Sequence, residues 1–143
     1  MFLLDTNVVS ELRKAGSGKV DENVYAWAAD HPVAGMFVSA ITVQELEIGV
    51  LRVERRDRAQ GVVLRKWLES QVLPSFAERI LPVDVAVARR SAKLHVPDSR
   101  PVRDALIAAT ALVHGMTVAT RNVRDFAPTG VAVFDPWMPA EPA

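Results

Sequence analysis

Phe2-Leu3-Leu4-Asp5-Thr6-Asn7 opens the chain with an apolar run that ends on an acid and two small polar residues. The run reads as a short buried strand. A carboxylate placed directly after such a strand is costly unless it is paired or bound to a cation. Related turns recur along the chain. Glu45 lies just past Met36-Phe37-Val38-Ser39-Ala40-Ile41, Asp104 opens the apolar stretch Ala105 to Ala111, and Asn122 and Asp125 follow Thr117-Val118-Ala119-Thr120. In an open parallel sheet the carboxyl ends of the strands share one edge, and ligands bind in the crevice there. Acids far apart in sequence can therefore meet on one small patch. Carboxylates gathered in that way repel one another unless a cation joins them, and hard oxygen ligands suit Mg²⁺ or Mn²⁺.

Between these acids, strand-like and helix-like segments alternate. Strands are expected at residues 2–5, 36–41, 80–83, 117–120 and 131–134. Helices are expected at 7–14, 21–30, 42–54, 59–73 (ended by Pro74), 84–95, and from the loop 97–101 to Gly115. Asp98 or Ser99 is the expected cap of that last helix, and Gly16-Ser17-Gly18 the expected flexible turn. Such alternation predicts a three-layer α/β domain, a mainly parallel sheet with helices on both faces. Residues 1–143 read as a single domain whose Pro-rich tail, 136–143, is expected to fray.

Composition narrows the function. The 143 residues are half apolar and contain no cysteine, so disulfides and thiolate zinc sites are excluded and a reducing cytoplasm is expected. No apolar run reaches the length of a membrane span, and three apolar residues before Asp5 do not make a signal peptide. Seventeen basic residues balance seventeen acidic ones, which argues against a general nucleic-acid coat protein but not against a nuclease. The densest basic run, Arg52, Arg55, Arg56, Arg58, Arg65 and Lys66, includes Glu54 and Asp57 and reads as a solvated helix face. Phosphate-cradling loops and nucleophile elbows are absent. His31, His95 and His114 lack ligand spacing, and Trp27, Trp67 and Trp137 are too scattered for a base-stacking platform.

Taken singly, most of these acids also have plain structural readings. Glu45 stands three residues after Thr42, the spacing of a capping box. Asp104 suits the first turn of a helix, where the dipole favours a carboxylate. Asp125 suits the cap of a short turn.

Taken together, Leu3-Leu4-Asp5-Thr6-Asn7, Ser39 to Leu46 with Gly49, Asp104 to Ala111, and Ala119-Thr120-Arg121-Asn122 with Asp125-Phe126 resemble the PIN-domain family. The likeness is greatest to its VapC and FitB-like toxins, and it spans essentially the whole chain. The resemblance implies a Mg²⁺- or Mn²⁺-dependent endoribonuclease, the toxin of a type II toxin–antitoxin system. It implies Asp5 and Asp104 as principal metal ligands, with Glu45 completing the site directly or through water. Thr6 and Asn7 would hold Asp5 and the scissile phosphate, Ser39 and Thr120 would supply hydroxyl hydrogen bonds, and Arg121 and Asn122 would bind substrate or support the residues that do. Many members carry an acid where this chain has Asn122. Either Asn122 or Asp125 then fills the fourth acidic position, and one or two ions are held. A metal-activated water attacking phosphorus in line leaves 5′-phosphate and 3′-hydroxyl ends. The implied partners are an RNA substrate and a small antitoxin, the chain forming a homodimer and a heterotetramer or larger assembly with that antitoxin.

Two other readings compete. One is a PIN fold without activity that binds nucleic acid or protein, against which Asp5, Glu45 and Asp104 all stand. The other is a phosphatase of the haloacid dehalogenase type. That chemistry takes a second Asp two residues after the first, where this chain has Asn7.

Overall fold

The computed structural model describes residues 1–140. Its centre is strand β1 (Phe2–Leu4), which alternates its side chains between two cores. Leu3 faces one core and Leu4 the other, and neither is exposed. Helix α1 (Thr6–Leu12) follows, continued by a 3₁₀ segment at Arg13–Ser17, and then α2 (Glu22–Asp30). Strand β2 (Met36–Ser39) runs straight into α3 (Ala40–Arg56), which pairs with α4 (Arg58–Trp67). A π-helical turn (Leu68–Val72) and the short α5 (Leu73–Ser75) lead to β3 (Ile80–Leu81) and α6 (Val85–Leu94). The long α7 (Val102–His114), β4 (Thr117–Ala119), α8 (Val123–Phe126) and β5 (Val133–Phe134) complete the described fold.

The five strands lie in the order β3-β2-β1-β4-β5, and every pairing is parallel. The three-layer architecture follows from the register. Leu3 is opposite both Phe37 and Val118, and all three face the core built with α6, α7 and α8. Leu4 is opposite Ala119, and both face the core built with α1 to α4. The chain moves outward from β1 through β2 to β3, then returns to β4 on the other side. The switch point therefore falls between β1 and β4, which is where an open sheet of this kind forms its binding crevice. Among the described residues, no helix is long and apolar enough to cross a membrane.

Several boundaries differ from the sequence expectation. Strand β2 stops at Ser39, because the Ser39 hydroxyl accepts the Ile41 N–H at 3.0 Å and starts the helix at Ala40, two residues before Thr42. The capping box at Thr42 does not form; Thr42 is fully buried and its hydroxyl has no partner. Neither Asp98 nor Ser99 caps α7. That helix begins after Pro101, a residue with no amide proton to satisfy. Gly16 and Ser17 fall in or beside 3₁₀ backbone, and only Gly18 takes a left-handed conformation there. Pro74 does not end its helix, since the widened π turn before it places Pro74 at the start of a new turn, where a missing N–H is no loss. The tail is held as far as Trp137: Pro136 is buried, and the Asn23 side-chain amide donates to the Trp137 carbonyl at 2.8 Å. Residues 141–143 lie outside the described residues.

The α3–α4 hairpin is closed by two devices. Arg65, expected on a solvated face, reaches Glu54 at 2.9 Å, Glu47 at 2.6 Å and Glu69 at 3.6 Å. Gly61 lets the helices touch, because a Cβ there would stand 2.6 Å from the Cα of Glu54. Gly61→Ala is therefore expected to lower stability by about 1–3 kcal/mol, the usual effect of overpacking. Gly49→Ala, on the same hairpin with open space around it, should instead add about 0.5–1 kcal/mol. Urea unfolding of the two variants checks both signs.

Candidate active site

Asp5 lies one residue past the Leu4–Ala119 register pair, at the switch point, and is 5% exposed. Its backbone N–H donates to the Ala119 carbonyl at 2.9 Å, which carries the β1–β4 pairing to the rim of the crevice. Its side chain is the N-cap of α1: Oδ1 accepts the Thr6 N–H at 2.9 Å. Oδ2 accepts the Thr120 hydroxyl at 2.8 Å and, more weakly, the Asn7 amide at 3.5 Å. Thr120 is saturated in return. Its oxygen donates its one proton to Asp5 and accepts from Asn7 at 3.3 Å and from the Asn122 N–H at 3.0 Å.

Glu45 enters from the second turn of α3, where its Oε1 accepts the Thr6 hydroxyl at 2.6 Å. Among the described residues, the Ser39 side chain forms no hydrogen bond with the acids. Its buried hydroxyl starts α3 and so sets where Glu45 projects. Asp104 stands in the first turn of α7 and Asp125 in the first turn of α8. Both line a small cavity of about 210 Å³ together with Ser99, Arg100, Arg124 and Thr129. Asn122 caps no N–H with its side chain; its carbonyl accepts the Asp125 N–H at 3.0 Å and so turns Asp125 toward Asp104. Arg121 donates its N–H to Asn7 at 3.4 Å, while its guanidinium lies over the Trp137 ring at 5.2 Å, directed to the tail.

Charge shows how closely these acids stand. Burial pushes the Asp5 carboxyl up to about 6, and the charges of Glu45 and Asp104 add to the rise against the Thr120 and Thr6 hydrogen bonds. Burial also raises Asp104, with Asp125 and Glu45 adding to it and Arg103 opposing. Four acids from four different segments thus feel one another across one end of the sheet.

The donor set is all oxygen and anionic, which suits a hard divalent cation in kind and in charge. Asp5 and Asp104 could hold it, with Glu45 and Asp125 beside them. The side chains stand apart rather than preformed around a point: among the described residues, no three His, Asp or Glu groups are close enough to enclose an ion. Two of the histidines are engaged in local backbone hydrogen bonds, His31 with the Trp27 carbonyl and His95 with the Arg100 N–H. Sequence reasoning missed Arg103, whose Nε is 3.7 Å from Glu45 Oε2. Its only signal was a base directly beside Asp104. It also missed Trp137 as the seat of Arg121, since nothing local links residue 121 to residue 137.

Comparison with known proteins agrees with this geometry. The sequence profile of the PIN domain matches residues 2–130. A VapC ribonuclease, Y4jK, of Sinorhizobium fredii is 38% identical over 98% of this chain and 100% of its own length. The toxin FitB of Neisseria gonorrhoeae is 42% identical, covering 96% of this chain and 99% of the toxin. The crystal structure of FitAcB from Neisseria gonorrhoeae superposes with a TM-score of 0.85 at 40% identity, over 96% of this chain and 99% of the matched one. With its parallel sheet, its acids at the switch point and these relatives along nearly its whole length, this chain belongs to the PIN domain family, alongside the VapC and FitB toxins.

Proposed function

We propose that this protein is the toxin of a type II toxin–antitoxin pair and acts as a Mg²⁺- or Mn²⁺-dependent endoribonuclease. The observation that carries the reading is the Asp5 carboxyl, buried at the sheet switch point and raised to about 6 partly by the charges of Glu45 and Asp104. A scaffold that holds acids together at such a cost has a use for a cation. Asp5 and Asp104 would hold it, and Glu45 and Asp125 would complete the anionic wall. Bound there, the ion would supply an acidified water and positive charge for the phosphoryl oxygens. The chain's own groups do the positioning. The Thr120 hydroxyl and Thr6 N–H favour the ionised form of Asp5, and Thr6 fixes one oxygen of Glu45. Attack of water on phosphorus breaks the bond to the 3′-oxygen, which leaves with a proton as a 3′-hydroxyl, while the phosphate stays on the 5′ side. No 2′-hydroxyl takes part, so selectivity for RNA lies in the surrounding groove.

The protein partner is read from the relatives and from one surface. Among the solved structures similar to this chain, one at 27% identity is a toxin–antitoxin complex from Klebsiella pneumoniae, and another is FitAB bound to a DNA fragment. Here a groove of about 720 Å³ runs between α1 and α4, lined by Leu12, Trp67, Val72 and Phe76 and bordered by the exposed Val62 and Val63. An apolar surface of that kind supports association with a small antitoxin. A homodimer in the cytoplasm, in a heterotetramer or larger assembly with that antitoxin, completes the proposal.

Three outcomes test the reading. Asp104→Asn should slow cleavage of a labelled RNA by about a hundredfold or more, the scale of losing one electrostatic contributor to a transition state. The same variant should melt no lower than wild type, because burial and the charges of Asp125 and Glu45 already disfavour the ionised Asp104. Cleavage by Asp104→Asn at the wild-type rate would overturn the assignment of Asp104 to the site, whereas a wild-type chain that cuts no RNA in Mg²⁺ or Mn²⁺ would favour the inactive-module reading. Millimolar Mg²⁺ or Mn²⁺ should raise the melting temperature by mass action, and EDTA should abolish cleavage; cleavage that survives EDTA would rule out the metal-dependent mechanism.

The third outcome concerns pH in EDTA. Folded Asp5 keeps its proton to about pH 6, whereas the unfolded chain releases it near 3.8. Between those values the folded state binds more protons, so stability falls as pH rises. The contribution is absent below pH 3.8 and complete above about 6, amounting to about 3 kcal/mol. Denaturant titrations at a series of pH values should show this decline, and Asp5→Asn should remove the Asp5 share of it, leaving the smaller decline that the raised Asp104 carboxyl contributes.

A further inference from the structure

Arg103 is the cation that stands against the acids. It precedes Asp104 in the first turn of α7, a position where a positive charge opposes the helix dipole. Helix stability therefore does not account for it. Its Nε lies 3.7 Å from Glu45 Oε2, while the other Glu45 oxygen is taken by Thr6. That separation exceeds the 2.7–2.9 Å or so of a charge-assisted hydrogen bond, so the pair is loose. Arg103 is 49% exposed and Glu45 22%, which leaves the guanidinium free to swing into solvent. Its charge also acts on Asp104.

The neighbouring arginines are used differently. Arg100 donates to the carbonyls of Leu94 and Pro128, and Arg121 lies over Trp137. Arg124 lines the cavity beside Asp125 but forms no ion pair among the described residues. Arg103 alone among these four is paired with a site acid, and among the described residues Glu45 has no second basic partner.

We propose that Arg103 is a built-in counter-ion of the cation-free site, so that Arg103 and a divalent cation compete for Glu45. The inference rests on the metal-dependent reading given above. In the cation-free protein Arg103 offsets part of the repulsion among Glu45, Asp5 and Asp104. When Glu45 turns to a divalent ion it releases Arg103, and the lost pair is subtracted from the affinity for the ion. The arginine thereby sets how much Mg²⁺ the site needs.

The test is calorimetric titration of the full chain with Mn²⁺, together with melting in EDTA, for wild type, Arg103→Gln, Arg103→Met and Arg103→Lys. Both neutral variants should bind Mn²⁺ about two- to fivefold more tightly, the scale of a half-exposed ion pair, and should melt lower in EDTA. Arg103→Lys keeps the charge and should stay near wild type in both measurements. Neutral variants that bind Mn²⁺ with wild-type or weaker affinity would overturn the inference while leaving the metal reading in place. A wild-type chain that binds neither Mn²⁺ nor Mg²⁺ would overturn the metal reading, and this inference with it.

Discussion

The hydrogen bond from the Thr120 hydroxyl to Asp5 Oδ2, 2.8 Å long, joins two residues that are 115 positions apart. It exists because β1 and β4 pair in parallel with Leu4 opposite Ala119, so the next residue on each strand reaches the rim together. That register is strongly specified. A slip of one residue would exchange Leu3 with Leu4 and Val118 with Ala119 between the two cores. The apolar alternation that builds the three layers is thus the same constraint that places the acid. Stability of the sheet and geometry of the site cannot be varied independently here.

The acids illustrate how the fold tolerates charge where it should not accumulate. Each is given a local reason to remain: a helix cap for Asp5, a hydroxyl partner for Glu45, a first helical turn for Asp104 and Asp125. None of these compensates fully, since the carboxyls of both Asp5 and Asp104 remain raised from their ordinary value. The residual strain is electrostatic rather than steric; no residue other than glycine has a positive φ among the described residues.

Much of this was legible from the chain itself. Short apolar runs ending in acids gave the strands and the edge they share, because burial and alternation are local properties of sequence. Boundaries were less legible. Ser39 and Thr42 are both competent caps, and only the depth to which β2 is buried decides that Ser39 starts the helix while Thr42 is packed away. Pro74 reads as a stop until the turn before it widens. Arg103 and Trp137 were invisible for a different reason: their partners, Glu45 and Arg121, are distant in sequence, and a single basic or aromatic residue carries no pattern. Asp125 could be read as a cap or as the fourth acid, and its placement in the Asp104 cavity came only with α8.

The joints at β1 and β2 have a mechanical consequence. Only Asp5 separates β1 from α1, and nothing separates β2 from α3. Each junction is a rigid elbow with its cap already hydrogen-bonded, so it contains no slack to act as a hinge. Re-aiming Asp5 or Glu45 through the backbone would mean unwinding the first turn of a helix that is packed into the core. The floor of the crevice is consequently as stiff as the sheet beneath it, and any adjustment of Asp5 or Glu45 falls to side-chain rotation and not to the backbone.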